Sequence, residues 1–105
     1  MDDLELIFCQ IIAQAGTAKS NYIEAMRCAR EADFAKAESL INEANPAFMK
    51  AHEAHRELLV KEADGEKIPF SLLLMHAEDQ LNSAEIFKTI SEETLATMCT
   101  LLAKK

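Results

Sequence analysis

From Leu72 to Leu102 the apolar residues recur on two opposed sides of what would be one long helix. At about 100° per residue, Leu74, Ala77, Leu81, Ala84, Leu95 and Leu102 fall on one side, while Leu72, Met75, Asp79, Ile86 and Ile90 fall nearly opposite. One stripe can serve the core of its own chain. The second would leave contiguous apolar surface in water unless another molecule covers it. The pattern therefore predicts a helical chain that assembles with copies of itself through its last long segment.

Composition agrees with helix. Half of the 105 residues are apolar, and the chain has only two glycines, two prolines and one tyrosine. That balance favours an all-α fold, and the length suits a single domain over residues 1–105, with no room for a second.

Leu4, Ile7, Phe8, Ile11, Ile12, Ala15, Ala18, Tyr22, Ala25, Met26 and Ala29 step by three and four, which predicts a first helix over about residues 3–31. Gly16 lies inside it at a cost of about 1 kcal/mol relative to alanine, so close packing is expected there. Asp33 can cap a second helix with its stripe on Phe34, Ala37, Ile41, Ala44, Phe48, Ala51, His55, Leu58 and Leu59, ending near Asp64-Gly65. Pro46 interrupts it. Asn45-Pro46 could cap and open a new helix, but the stripe keeps its phase across the pair, which favours one continuous, kinked helix.

Residues 65–69 form the clear loop, and Pro69 suits the start of the third helix. Ser91-Glu92-Glu93 could open a fourth helix. Yet Leu95, Met98 and Leu102 continue the phase of Leu74, Ala77 and Leu81, so three long helices in an up-down bundle are expected. Lys88 falls on the core stripe, where only snorkelling would accommodate it.

The net charge of -7 opposes binding to phosphate backbones or anionic membrane surfaces, and would steer a basic partner protein toward the chain. Nucleic acid is therefore not an expected partner. Cys9, Cys28 and Cys99 are odd in number and scattered on apolar faces, which predicts buried thiols in a reducing compartment and neither a disulfide frame nor a zinc site. No apolar run reaches the roughly 18 residues that span a bilayer, and Met1-Asp2-Asp3 lacks the basic start of a signal peptide. A soluble cytoplasmic protein without membrane insertion is expected.

Within Ser71-Leu72-Leu73-Leu74-Met75-His76-Ala77-Glu78-Asp79-Gln80-Leu81, His76 lies on the flank between the two apolar sides. There it would sit at the edge of a subunit contact, partly shielded yet reachable. A neutral imidazole offers a free lone pair near neutral pH and can take a phosphoryl group in line, a transfer that depends on positioning and charge stabilisation more than on acid–base work. The alternative is a histidine that only fills the contact. Gln80, one turn along, is the candidate supporting residue. His52 and His55 lie beside the second helix's stripe and are read as ordinary core-edge residues.

The same segment resembles the active-site run of the lactose/cellobiose-specific enzyme IIA family of the bacterial phosphoenolpyruvate-dependent sugar phosphotransferase system. The likeness extends over nearly the whole chain. Ala15-Gly16-Thr17-Ala18-Lys19-Ser20 matches the family's helix-one signature, Asp33-Phe34 its first turn, and Ala51-His52 with Leu58-Leu59 its second helix. The resemblance implies a three-helix protomer assembled as a homotrimer. His76 would receive a phosphoryl group from the phosphocarrier protein HPr and pass it to a cysteine of enzyme IIB, while a β-linked disaccharide such as cellobiose, chitobiose or lactose enters through enzyme IIC.

Asp79 takes the place of the family's aspartate on the trimer axis, where a divalent cation such as Mg2+ would be shared, one per trimer. A purely register-fixing Asp79, protonated or hydrogen-bonded, is the other reading of such a residue. Glu78 stands where the family has glutamine, Gln80 where it has a second histidine, and His55 where it has glutamine.

Two other classes fit a helical chain with a reachable histidine. A phosphotransfer domain of a two-component relay places Lys and Gly shortly after its histidine, whereas Ala77-Glu78-Asp79-Gln80 follow here. A non-catalytic oligomerisation module would explain the doubled stripe without using His76.

Overall fold

The structure, a computed structural model, describes residues 2–104. It consists of three long helices, α1 (Asp3–Arg30), α2 (Phe34–Ala63) and α3 (Leu72–Ala103), and no strand among the described residues. They run up, down and up. Tyr22 of α1 meets Asn45 of α2; Lys19 of α1 lies over the Phe87 ring of α3, and Leu4 and Phe8 near the start of α1 line one cleft with Ser71 and Leu73 at the start of α3, so α1 and α3 are parallel neighbours. The bundle is 57 Å long.

Side-chain caps set where each helix begins. Asp2 accepts a hydrogen bond from the Glu5 N–H, Asp33 from Lys36 and Ser71 from Leu74, each satisfying a donor that has no partner inside its helix. The serine cap moves the start of α3 past the expected Pro69, which lies in the preceding loop.

The C-terminal ends of α1 and α2 share one solution. The Glu66 N–H reaches back to the Lys61 carbonyl and Gly65 to Glu62; in the same way Asp33 reaches Cys28 and Ala32 reaches Ala29. This double closure needs a left-handed residue after the cap. Gly65 supplies it at φ 92°, as expected, but at the end of α1 the same role falls to Ala32 at φ 62°.

Alanine dominates the core: Ala15, Ala18, Ala25 and Ala29 on α1 face Ala37, Ala44, Ala47, Ala51 and Ala54 on α2 and Ala77 and Ala84 on α3. Small side chains permit helix axes near the short end of the roughly 8–10 Å packing range. Ile11, Phe8, Phe48 and Tyr22 fill the wider spaces. α1 packs extensively on both other helices, and the seam between α2 and α3 is the thinnest.

α2 runs unbroken through Pro46. Proline offers no N–H to the preceding turn; beside it the Tyr22 hydroxyl donates to Asn45 Oδ1 at 2.7 Å and ties α2 to α1. Burial pushes the Tyr22 phenol up to about 12, with the nearby Glu92 carboxylate adding to the effect. Ser91 does not open a fourth helix. Its hydroxyl is buried and turns back to the Lys88 carbonyl at 2.9 Å, the local satisfaction open to a mid-helix serine. Lys88 itself reaches Glu92 at 3.0 Å, which accounts for a lysine on the inner stripe.

Three expectations need correction. A Cβ built on Gly16 would meet nothing within 4 Å, so no close packing inside the protomer explains that glycine. Leu59 is exposed, because Leu58 takes the core position and a neighbour about 100° further round the helix cannot share it. Of the thiols only Cys28 is buried; Cys9 is intermediate and Cys99 exposed. Eleven residues separate Lys19 from the end of α1 at Arg30, and the same eleven carry α3 from Phe87 to Met98, so Cys99 lies where α3 has outrun its neighbour.

Candidate functional site

The first turns of α3 carry all three residues singled out by the sequence. Leu73 and Leu74 pack partly against the core and Ala77 is buried within it, so the helix is seated by one side. His76 projects outward and is exposed, as is Asp79, and Gln80 is half-buried. His76 and Gln80, four residues apart, share a helix flank one turn from each other. Their side chains make no hydrogen bond to each other, and among the described residues the His76 ring has no hydrogen bond, ion pair or ring contact of its own. Its position comes from the backbone alone.

Around His76 the surface is apolar in the way the second stripe predicts. Leu72 is 81% exposed, Met75 51% and Ile86 49%, with Ile90 and Leu101 extending the line. Phe70, in the loop just before α3, is 77% exposed. Asp79 stands within this stripe, its carboxylate without hydrogen bond or ion pair among the described residues. No group of three His, Cys, Asp or Glu among the described residues could hold a metal within one chain. An axial site of the expected kind draws only one ligand from each protomer.

The structure also joins two residues that the sequence reading left apart. His55 Nε2 lies 2.7 Å from Glu78 Oε1, and the pair bridges α2 and α3. A carboxylate only accepts hydrogen bonds, so Nε2 carries the proton and donates. His52, also on α2, is exposed and packs its ring against Phe48 at a tilt. The available signal was that both His55 and Glu78 replace the family's glutamine; nothing in either local pattern pairs positions twenty-three residues apart.

Comparisons with known proteins settle the family. Residues 6–98 match the family described as "PTS system, Lactose/Cellobiose specific IIA subunit". The chain belongs to this family. The lactose-specific EIIA component of Staphylococcus aureus (strain N315) is 38% identical over 94 residues, covering 90% of this chain and 91% of that protein. The lactose-specific component of Lactococcus lactis subsp. lactis is 37% identical over 89 residues, 85% of each chain.

Among solved structures, the cellobiose-specific enzyme IIA from Bacillus anthracis superposes with a TM-score of 0.94 at 35% identity, covering 100% of this chain and 96% of that one. PtcA from S. mutans gives 0.88 at 31% identity, covering 93% and 98%. Membership makes the chain a phosphotransferase component, a phosphocarrier of a sugar phosphotransferase system. None of its described helices is long and apolar enough to cross a membrane.

Proposed function

We propose that His76 is the residue that carries the phosphoryl group: a ring nitrogen attacks phosphorus on phosphorylated HPr, the bond to the donor breaks as the new N–P bond forms, and a cysteine of enzyme IIB takes the group onward. The observation that carries the reading is the exposed, unbonded imidazole of His76 in the segment that resembles the family's active-site run. A ring with no competing hydrogen bond keeps a lone pair available, and an exposed one admits both a donor and an acceptor protein in turn. Gln80, one turn along the same flank, can donate an amide N–H toward the transferred group.

The working form in this reading is a cytoplasmic homotrimer of single enzyme IIA domains built around α3. Leu72, Met75, Ile86, Ile90 and Leu101 form a stripe along the outer side of α3, and three such stripes around an axis would cover one another. Asp79 then meets its two copies. Its carboxylate suits a hard divalent cation such as Mg2+, which when bound would neutralise the three charges. The sugar is a β-linked disaccharide, of the cellobiose, chitobiose or lactose kind, entering through enzyme IIC.

Incubation with phosphoenolpyruvate, enzyme I and HPr tests the central step. The wild-type chain should be labelled, and His76→Ala should fold normally, because His76 is outside the core, yet take no label. Normal labelling of that variant would remove His76 from the role, and failure of the wild type to accept label would favour an oligomerisation module.

A further inference from the structure

We propose that the His55–Glu78 hydrogen bond is the clamp that holds the first turns of α3 in place for transfer, with His55 a positioning residue that acts on His76 through Glu78. The proposal rests on the reading of His76 as the phosphoryl carrier. Because the His76 ring has no partner of its own, any error in where the backbone of α3 sits passes undiminished to the reacting nitrogen. Within the protomer three kinds of contact hold that backbone around His76: the Ser71 cap, 3.0 Å from the Leu74 N–H; the apolar seat of Leu73, Leu74 and Ala77 on the core; and Glu78, 2.7 Å from His55. The first holds the end of the helix but not its lateral position. The second is apolar contact, which is non-directional and so fixes rotation and sliding less sharply than a hydrogen bond does.

Only the third is a polar tie between this turn and α2. The α2–α3 seam is the thinnest of the three, and among the described residues no other side-chain hydrogen bond or ion pair crosses it. The His55 side chain is 19% exposed against 51% for Glu78, so the donor is fixed in the bundle and the acceptor is the part that would otherwise swing free. Both lie in a cleft of about 320 Å3 that Arg56, Asn82 and Glu85 also line. The bond requires a donor at 55 and an acceptor at 78. A glutamine amide can serve in either place, with its nitrogen reaching about as far along the side chain as imidazole Nε2; alanine can serve in neither.

The test measures phosphoryl transfer from phosphorylated HPr, with kcat and KM determined separately, at a temperature where circular dichroism shows every variant folded. His55→Ala and Glu78→Ala should each lower kcat by about five- to tenfold with KM unchanged within about twofold, well short of the roughly hundredfold that a full 1 Å misplacement can cost. The double alanine variant should be no worse than either single one, as expected of two residues acting as a unit. His55→Gln and Glu78→Gln should return to within about twofold of wild type, since each keeps the hydrogen bond.

In the unphosphorylated protein, the His76 ring signals in nitrogen-15 NMR should shift in both alanine variants and return in both glutamine variants. A wild-type kcat in His55→Ala, additive losses in the double variant, or unmoved His76 signals would each overturn the clamp. Absence of label on the wild-type protein would instead overturn the reading of His76. The ring signals would then decide the clamp alone, movement supporting it and constancy refuting it.

Discussion

The two sides of α3 are both mostly apolar and do opposite things. The inner side presents Ala77, Leu81, Ala84 and Ser91, all buried, while the outer side presents Leu72, Met75, Ile86 and Ile90, each at least 44% exposed. Hydrophobicity alone does not separate them. What differs is side-chain size and what stands opposite. The inner positions are mostly small because α1 and α2 crowd against them, whereas the outer positions are large, with nothing of their own chain across from them. A helix of this kind encodes a fold on one side and, in the proposed reading, an assembly on the other.

The sharpest way to break that contrast is to place the same charge on each side. Ala84→Asp puts a carboxylate at a position of zero exposure, and an uncompensated buried charge of this sort costs at least about 3–5 kcal/mol. That is a large share of the roughly 5–15 kcal/mol that stabilises a typical domain. Loss of helical circular dichroism at room temperature is expected. Ile86→Asp should leave the helical signal intact and turn a trimer into monomers in sedimentation equilibrium. Equal loss of helix from both substitutions would mean that the outer side belongs to the protomer's own fold.

In the proposed trimer, Asp79→Leu would extend the outer apolar stripe and remove three axial carboxylates that would repel one another. Polar-to-apolar exchange at buried sites stabilises by about 1–4 kcal/mol in favourable cases. The variant should stay trimeric and melt above the wild type in chelator. Magnesium should raise only the wild-type midpoint, through binding to the assembled state. Equal magnesium responses would exclude Asp79 as the ligand, and dissociation of the variant would show that the carboxylates hold the copies together.

A further test belongs to the inner side and to alkaline pH. Tyr22 is buried and its phenol is raised from 10.0 to about 12. The unfolded chain therefore releases this proton first, so the stability that Tyr22 contributes is complete below pH 10 and is lost as pH rises toward 12. As the chain's sole tyrosine, with no tryptophan beside it, it can be followed by tyrosinate absorbance. The absorbance should lag until the helices melt, and Tyr22→Phe should remove this share of the alkaline destabilisation.

The smallest expected effect lies off both sides of α3. Ala32 holds a left-handed conformation at φ 62°, and Ala32→Gly should stabilise by about 0.5–1 kcal/mol by relieving it. Thermal unfolding would record the gain, and sedimentation should show assembly unchanged. A change in assembly would show that the outer stripe is not its sole determinant.

The sequence by itself determined much of this protein. Apolar spacing placed the first two helices to within a residue or two and the third with its start three residues early, since the period of a helix is a local property and the stripe of α2 kept its phase across Pro46. The Asp33 cap and the Gly65 end were legible for the same reason, because each is a contact between residues a few positions apart. The segment around His76 pointed to the family through its order of residues, and the two-sided pattern of α3 exposed an unpartnered face before any packing was known. Ala32, Ser71 and Gly16 were misread or missed, where more than one residue type satisfies a local rule and only the realised backbone shows which one does. Tertiary structure alone decided that Tyr22 donates to Asn45 and that His55 meets Glu78. Both depend on where separate helices come to rest beside each other, a distance set by the summed packing of an alanine-rich core rather than by any one residue's propensity.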